Sequence, residues 1–204
     1  MKLNTLQEKV CYGLGRQISK QFASGKFPGF SDEALLAGVK DGLANAPLPV
    51  DPRELNKAFE EFSQMMDQEQ KSVKAENEEY LKENAKKEGV VVTSSGLQYE
   101  VLTQGEGDIP GPTDIVRVHY QGNLINGEVF DSSYKRNEPA EFPVNGVIAG
   151  WTEALQLMKV GSRFRLTIPY DLAYGENGAG SSIPPYATLV FEVELLDIVM
   201  KAGK

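Results

Sequence analysis

The spacing of apolar residues divides the chain into a helical first part and a strand-rich second part. Near the N-terminus an apolar residue recurs at every fourth position, which predicts an amphipathic helix over residues 5–22. The residues of this stripe are Leu6, Val10, Leu14, Ile18 and Phe22. Ser31 is a suitable N-cap for a second helix, in which apolar residues recur between positions 35 and 43. Each of these helices therefore has one face that something else must cover.

Residues 53–88 contain neither glycine nor proline, and together with Pro52 at the start they predict one helix of about 55 Å if it is continuous. Asp51 and Pro52 are suited to its N-cap and its first position. Its first half carries apolar residues at spacings of four, three and four: Leu55, Phe59, Phe62 and Met66. Residues 67–79 are mostly polar or charged, and a solvated helix face is the simplest explanation. Because a helix that is polar on all sides can connect separately packed domains, we interpret this segment as a stalk.

The N-terminal segment of about 50 residues is too short to bury a core of its own. Units of this size seldom fold without a metal, a disulfide or a partner, and the chain has a single cysteine. We therefore expect the two apolar stripes to meet a second copy of the chain across a two-fold interface. The alternative is that these helices fold back onto the C-terminal part, from which the polar stalk would hold them away. The pattern thus predicts a helical dimerisation module over 1–50, a long connecting helix over 51–89 and a third domain over 90–204.

From Leu97 onward the apolar residues alternate with polar ones, which is typical of half-buried strands. The alternation is clearest in residues 97–101, 116–120, 164–168 and 189–195. One short helix is predicted over residues 152–158. The predicted fold class is α+β: an all-α N-terminal module, a long connecting helix and a C-terminal antiparallel β-sheet wrapped around a short helix.

An acidic net charge restricts the classes of partner. The formal net charge is −8 and the sequence pI is about 4.8, whereas nucleic acids and anionic membranes are bound by clusters of Lys and Arg. We therefore expect no nucleic acid and no membrane among the partners. The first residues, MKLNTLQEKV, lack the pattern of a secretory signal, so a cytoplasmic location is expected. A periplasmic protein whose signal has been removed is the alternative.

Residues needed for several kinds of catalysis are scarce in this chain. His119 is the only histidine, and the strand pattern places it beside Arg117 on the outer face of the sheet. With one histidine and one cysteine, neither an ordinary zinc site nor a Ser-His-Asp or Cys-His arrangement can form within one chain. Residues 175–180 are rich in glycine but do not match a phosphate-binding loop. Cys11 lies at helical spacing with Leu14, and we predict that it is buried and structural.

The remaining candidates are aromatic residues of the second half, which alone are what core packing would produce. Four segments around them resemble, in the same order, the FK506-binding prolyl isomerases. They are VHYQGNLINGEVFDSSYKR (118–136), GVIAGWTEALQLMKVG (146–161), PYDLAYG (169–175) and IPPYATLVFEVEL (183–195). The helical first half and the long linker resemble the dimeric bacterial branch of this family, which includes the macrophage infectivity potentiator proteins. The chain is similar in particular to the small cytosolic bacterial members.

The resemblance implies a peptidyl-prolyl cis/trans isomerase that needs no cofactor and no metal. Its implied partners are unfolded protein clients containing proline, a second copy of the chain, and FK506- or rapamycin-type macrolides as inhibitors. Dimer-dependent, chaperone-like client binding is implied as well. The implied catalytic residues are Asp131, Tyr174 and Ile148, the last through its backbone N–H. The implied proline pocket consists of Tyr120, Phe130, Asp131, Arg136, Phe142, Val147, Ile148, Trp151, Tyr174, Ile183 and Phe191, with Trp151 as its floor.

Two other functions compete with the enzyme. A binding module or holdase would keep the fold but catalyse poorly, and the intact set of Tyr120, Asp131, Trp151, Tyr174 and Phe191 favours the enzyme over it. A structural coiled-coil adaptor would need apolar heptads through residues 67–79, where the sequence has none.

Overall fold

The computed structural model describes residues 2–23, 27 and 29–201, which divide into two compact units, Met1–Met65 and Met66–Lys204. The first unit contains helix α1 (Leu6–Ala23), helix α2 (Asp32–Leu43) and the beginning of helix α3 (Pro52–Asn84). Ser31 caps α2, since its hydroxyl accepts a hydrogen bond from the backbone N–H of Ala34 at 3.1 Å. None of the helices in the described part of the chain is long and apolar enough to cross a membrane.

Much of the apolar surface of the first unit is exposed. The side chains of Leu6, Val10, Leu14 and Ile18, on the predicted stripe of α1, are between 53% and 74% exposed; the side chain of Phe22 lies outside the described residues. The prediction that Cys11 is buried is wrong for the single chain, because the stripe on which it lies remains uncovered. Leu36, Val39 and Leu43 of α2 are exposed as well.

The second unit is built on a seven-stranded antiparallel sheet. Its strands are β1 (Val90–Val92), β2 (Gln98–Thr103), β3 (Ile115–Leu124), β4 (Val129–Ser132), β5 (Ala140–Pro143), β6 (Arg163–Ile168) and β7 (Leu189–Met200). The strand order is β1-β2-β6-β7-β3-β4, and β5 pairs with the first half of β3. The predicted α+β class is confirmed. Strands β1, β4 and β5 were not predicted, because segments of three or four residues are too short to show alternation.

One face of the sheet packs against the short helix α5 (Ala149–Leu155), which begins and ends about three residues earlier than predicted. Trp151, Ala154 and Leu155 of this helix are at most 4% exposed. Alternate residues of the strands complete the core: Val116 and Val118 of β3, Phe164, Leu166 and Ile168 of β6, and Leu189, Phe191, Val193 and Leu195 of β7. Most of the apolar residues that the resemblance singled out belong to this core or pack against it.

The second half of α3 covers part of the opposite face of the sheet, so the interpretation of residues 67–79 as a stalk that is polar and free on all sides is wrong, although most of these residues are exposed as a solvated helix face requires. Asn77 and Asn84 of α3 are 5% and 7% exposed. The Nδ2 of Asn84 donates to Gln98 Oε1 at 2.9 Å and to Thr167 Oγ1 at 3.2 Å, and Gln98 Nε2 donates to Leu81 O at 2.9 Å. This part of α3 therefore packs as an element of the second unit.

The packed stripe continues the spacing of the apolar seam but uses polar residues. After Met66 the stripe runs through positions 70, 73, 77, 80 and 84, each half-buried or buried, at spacings of four, three, four, three and four, and positions 74 and 81 beside it are half-buried as well. Three of these positions hold Gln or Asn. A count of apolar residues misses such a stripe, because here burial depends on hydrogen bonds whose partners lie elsewhere in the chain.

Candidate active site

An aromatic cavity of about 460 Å³ opens on the face of the sheet that carries α5. Every residue of the implied proline pocket lines it except Arg136 and Ile183, and Gly146 also lines it. The lining residues come from separate elements: Tyr120 from β3, Phe130 and Asp131 from β4, Phe142 from β5, Trp151 from α5 and Phe191 from β7. Val147 and Ile148 precede α5, and Tyr174 lies in the connection between β6 and β7.

Trp151 lies at the centre of the aromatic residues and is 4% exposed. Its ring meets those of Tyr120, Phe191 and Phe142 edge-to-face, with centroids 5.2, 5.2 and 6.0 Å away. The indole Nε1 is buried and has no hydrogen-bond partner within the described residues. Trp151 therefore offers an apolar surface to the cavity and no accessible donor.

Gly122 allows two aromatic walls of the cavity to approach the sheet closely. A Cβ at this position would lie 2.5 Å from Phe130 Cζ and 2.6 Å from Phe191 Cε1. Those two rings meet edge-to-face at 5.5 Å. Sequence reasoning missed Gly122 and also Gly146. A glycine inside a strand pattern indicates a close approach and could have identified Gly122, but no comparable signal marks Gly146.

A polar cluster forms one wall of the otherwise apolar cavity. The Tyr120 hydroxyl donates to Asp131 Oδ2 at 2.5 Å. Arg136 donates to Asp131 Oδ1 through Nη1 and to the Tyr120 hydroxyl, at 2.9 Å, through Nη2. The three side chains thus close a ring of hydrogen bonds. Arg136 holds Asp131 and Tyr120 from behind instead of lining the cavity.

Helix α4 (Ser133–Arg136) brings Arg136 back towards β4. The Ser132 hydroxyl caps it by accepting from Lys135 N at 3.3 Å, and it ends at Asn137 in the left-handed conformation with φ 53°. His119 lies beside this helix, stacked on Tyr134 with centroids 4.7 Å apart and with Nδ1 2.9 Å from Ser133 Oγ. His119 does not line the cavity.

The segment before α5 is anchored on both sides. The backbone N–H of Val144 donates to Asp114 O at 2.9 Å, and the Thr152 hydroxyl donates to Val144 O at 2.7 Å. Ile148 is the N-cap residue of α5, and its carbonyl accepts from Trp151 N and Thr152 N. These bonds hold Val147 and Ile148 at the edge of the cavity.

The connection between β6 and β7 supplies Tyr174, whose side chain is 42% exposed at the rim of the cavity. Ile183 lies in the same connection but is 7% exposed and belongs to the core. Its backbone pairs with Ala179 through hydrogen bonds of 2.8 and 3.1 Å. Ile183 therefore packs beneath this connection, away from the cavity lining.

Within the polar cluster the contacts favour the ionised form of Asp131 and the neutral form of Tyr120, because they lower the pKa of the first and raise the pKa of the second. Burial tends to raise the pKa of Asp131, but hydrogen bonds from Tyr120 and Arg136 and the charge of Arg136 outweigh it and lower the pKa. Burial, assisted by the hydrogen bond to Asp131, raises the pKa of Tyr120. The hydrogen bonds to Asp131 and Tyr120 also raise the pKa of Arg136.

We expect peptide isomerisation by this site to vary less than about twofold between roughly pH 5.5 and pH 8.5. The lowered pKa of Asp131 makes its contribution to stability complete above about 3.9, and the contribution is lost as the pH falls through the lower folded value. The raised pKa of Tyr120 makes its contribution complete below about 10, and that is lost as the pH rises through the higher folded value. Profiles of kcat/KM at constant ionic strength measure this. An inflection near neutral pH in the wild type would contradict it, and its persistence or loss in Asp131→Asn would show whether the polar cluster causes it.

Comparison with known proteins assigns the family. Residues 107–196 match the profile described as FKBP-type peptidyl-prolyl cis-trans isomerase, and residues 7–101 match that of the domain amino terminal to it. The FKBP-type 22 kDa peptidyl-prolyl cis-trans isomerase of Escherichia coli is 54% identical over 200 residues, which cover 96% of this chain and 97% of that protein. The chain belongs to the FKBP-type peptidyl-prolyl cis-trans isomerases. The enzymatic activity implied by the resemblance is thereby confirmed.

The FKBP relationship extends over the whole chain. The crystal structure of FkpA from Escherichia coli aligns with a TM-score of 0.66 at 35% identity, covering 99% of this chain and 100% of that one. The outer membrane protein MIP of Legionella longbeachae is 37% identical over 204 residues, covering 96% of this chain and 87% of that protein. The predicted relation to infectivity potentiator proteins is confirmed. The comparisons do not support the expected cytoplasmic location, since one relative is named an outer membrane protein.

Proposed function

We propose that this FKBP-type isomerase binds the proline ring of an unfolded client chain in the aromatic cavity and twists the X-Pro bond there. The observation that supports this most is the arrangement of the cavity itself. Aromatic rings from five elements surround a space of about 460 Å³, and polar groups occur on one wall and at the rim. Such a space suits a small apolar ring whose flanking peptide groups remain at the edge.

The chemistry of the reaction fits this arrangement. Rotation about a peptide C–N bond has a barrier of about 18–20 kcal/mol, because twisting removes the amide resonance. No bond to a nucleophile and no proton relay is needed. A twisted amide is less polarised than a planar one, so an apolar cavity favours it over the ground state. Fixed donors that meet the peptide carbonyl groups can add stabilisation that is greatest in the transition state.

Three residues are proposed to act directly on the substrate. The Ile148 backbone N–H has no acceptor within the described residues, and we propose that it and the Tyr174 hydroxyl hydrogen-bond the substrate carbonyls. Asp131, held by Tyr120 and Arg136, places its charge at the wall next to the twisting bond. Phe130, Phe142, Val147 and Phe191 form the walls, Trp151 the floor, and Ile183 supports the rim from below.

We expect Asp131→Ala and Tyr174→Phe each to lower kcat/KM for an X-Pro tetrapeptide by roughly 10-fold or more while the protein stays folded. Both remove a polar group from the cavity without deleting a buried ring. A protease-coupled isomerisation assay measures the effect, with Tyr99→Phe as a matched control that removes a hydroxyl outside the cavity lining. Unchanged turnover in both variants would exclude Asp131 and Tyr174 from the mechanism.

The same cavity is proposed to bind FK506- and rapamycin-type macrolides. These would compete with the peptide, so the isomerisation assay with and without such an inhibitor reports on the cavity directly. Inhibition that Trp151→Ala abolishes would locate the macrolide in the aromatic cavity.

We further propose that the enzyme is a homodimer whose dimerisation supports chaperone-like client binding. Support comes from the exposed apolar side chains of α1 and α2 and from the match of residues 7–101 to the domain amino terminal to FKBP isomerases. In this proposal residues 1–50 form the dimerisation module, residues 51–89 connect it to the rest of the chain, and residues 90–204 carry the cavity.

Fractionation of cells that produce the full-length chain would distinguish a cytoplasmic from a periplasmic location.

A further inference from the structure

Helix α3 contacts the connection between β6 and β7, which carries Tyr174. Asn77 Oδ1 accepts a hydrogen bond from the backbone N–H of Thr188 at 2.7 Å, where the chain leaves this connection and enters β7. Asn77 Nδ2 donates to Val73 O at 2.8 Å, one turn earlier in the helix. The Asn77 side chain is thus buried, oriented by its own helix and bonded to one end of the connection.

Lys74 of α3 contacts the same connection at two further places. Its Nζ lies 5.7 Å from the ring centroid of Tyr170 and 5.3 Å from that of Tyr186, within the range of cation–π attraction. The two rings meet edge-to-face with centroids 5.2 Å apart. Tyr170 begins the short 3-10 helix Tyr170–Leu172 just before Tyr174. Lys74 therefore joins the start of the connection to its end.

Tyr186 connects Lys74 to Gly175, the residue that follows Tyr174. Its backbone N–H donates to Gly175 O at 3.2 Å. Tyr186 has φ 59°, a left-handed conformation that is unfavourable for a bulky residue and persists only where the surroundings impose it. The contacts of its ring with Lys74 and Tyr170 are such a constraint. Tyr174 thus lies between two segments that α3 holds.

We propose that Asn77 and Lys74 of α3 are positioning residues that hold the Tyr174 hydroxyl at the cavity rim. The proposal rests on the role proposed above for Tyr174 in binding the substrate. Neither residue lines the cavity, and both act through the connection that they hold. Helix α3 is then part of the catalytic unit and not only a link to the helices before it.

The chain contains a control for Asn77. Asn84 is one further buried asparagine on the same helix face, and it bonds to Gln98 and Thr167 of the sheet instead of the connection. Asn77→Ala and Asn84→Ala therefore both weaken the docking of α3, but only the first releases the backbone N–H of Thr188. The test compares kcat/KM of the two full-length variants at a temperature where both remain folded.

We expect Asn77→Ala to lower kcat/KM for a tetrapeptide by roughly tenfold, which is less than the ~100-fold that a misplacement of about 1 Å can cost. Asn84→Ala should lower Tm but leave kcat/KM within about twofold. Amide hydrogen exchange at Thr188 and Tyr186 should accelerate only in Asn77→Ala. Equal kcat/KM losses in both variants, or unchanged Thr188 exchange in Asn77→Ala, would overturn the proposal.

If Asn77→Ala does not fold, Lys74→Met takes its place in the test, with the exposed Lys71→Met as its control. A loss of kcat/KM of about threefold is then expected only for Lys74→Met.

A double variant separates this proposal from the role of Tyr174. If Asn77 acts through the Tyr174 hydroxyl, Asn77→Ala should lower kcat/KM much less in a Tyr174→Phe background than in the wild type. Additive effects would overturn the positioning role even where Tyr174→Phe alone lowers turnover. If Tyr174→Phe alone has no effect, the proposed role of Tyr174 fails, and the exchange at Thr188 then reports separately whether α3 holds the connection.

Discussion

Replacing Trp151 by alanine is expected to lower kcat/KM for a prolyl tetrapeptide by about 10- to 100-fold in the molecules that remain folded. Burying an apolar side chain contributes about 1.5–3 kcal/mol, and each ~1.4 kcal/mol corresponds to a factor of ten. Trp151 touches the rings of Tyr120, Phe142 and Phe191 and lines the cavity, so its loss removes the floor and leaves three walls without support.

Folding is expected to suffer as well, because Trp151 is 4% exposed. A large aromatic residue replaced by alanine in a core typically costs about 3–5 kcal/mol. Phe164→Ala is the matched control: Phe164 is 2% exposed and stacks on Tyr99 at 5.5 Å, but it does not line the cavity. Activity is measured per folded molecule at low temperature, with the folded fraction taken from denaturant unfolding. If both variants lost the same activity per folded molecule, Trp151 would be a core residue and not the floor.

The second large effect is expected from truncation within α3. Residues 66–204 should be a folded monomer that isomerises tetrapeptides about as well as the full chain. Residues 90–204, the domain that the sequence pattern alone delimits, should be less stable by roughly 2–6 kcal/mol, because four hydrogen bonds to α3 are lost at about 0.5–1.5 kcal/mol each. These bonds join Asn84 to Gln98 and Thr167, Gln98 to Leu81, and Thr188 to Asn77. The shorter fragment should also be less active on peptides, since it lacks Lys74 and Asn77.

Denaturant unfolding, sedimentation analysis and two activity assays on the three chains test this. Refolding of a protein limited by proline isomerisation should be slower with residues 66–204 than with the full chain, since two linked cavities raise the effective concentration for a client that is large enough to reach both. Equal stability of the two fragments would show that α3 is not part of the second unit. A monomeric full-length chain would contradict the dimer, and equal client refolding by 66–204 and the full chain would contradict its role.

The helices and the main strands follow from the sequence because their signals are local. The fourfold spacing around Leu6, the Ser31 cap and the Pro52 start each depend on residues within one or two turns, so the structure places α1, α2 and the beginning of α3 close to where they were predicted. The alternation in β3, β6 and β7 is equally local. The implied pocket residues depend on a different signal, since they came from the resemblance and not from periodicity.

By itself, the sequence determined the α+β class, the helical first part, and the aromatic and polar residue types that surround the cavity. Only the tertiary structure decided that Arg136 stands behind the cavity wall, that Ile183 packs beneath the rim, and that the polar second half of α3 docks on the sheet. The physical reason is the same in each case. An apolar stripe can be recognised from its own residues. The burial of Asn77, in contrast, depends on a hydrogen bond to a backbone N–H more than 100 residues away, and only folding brings the two together.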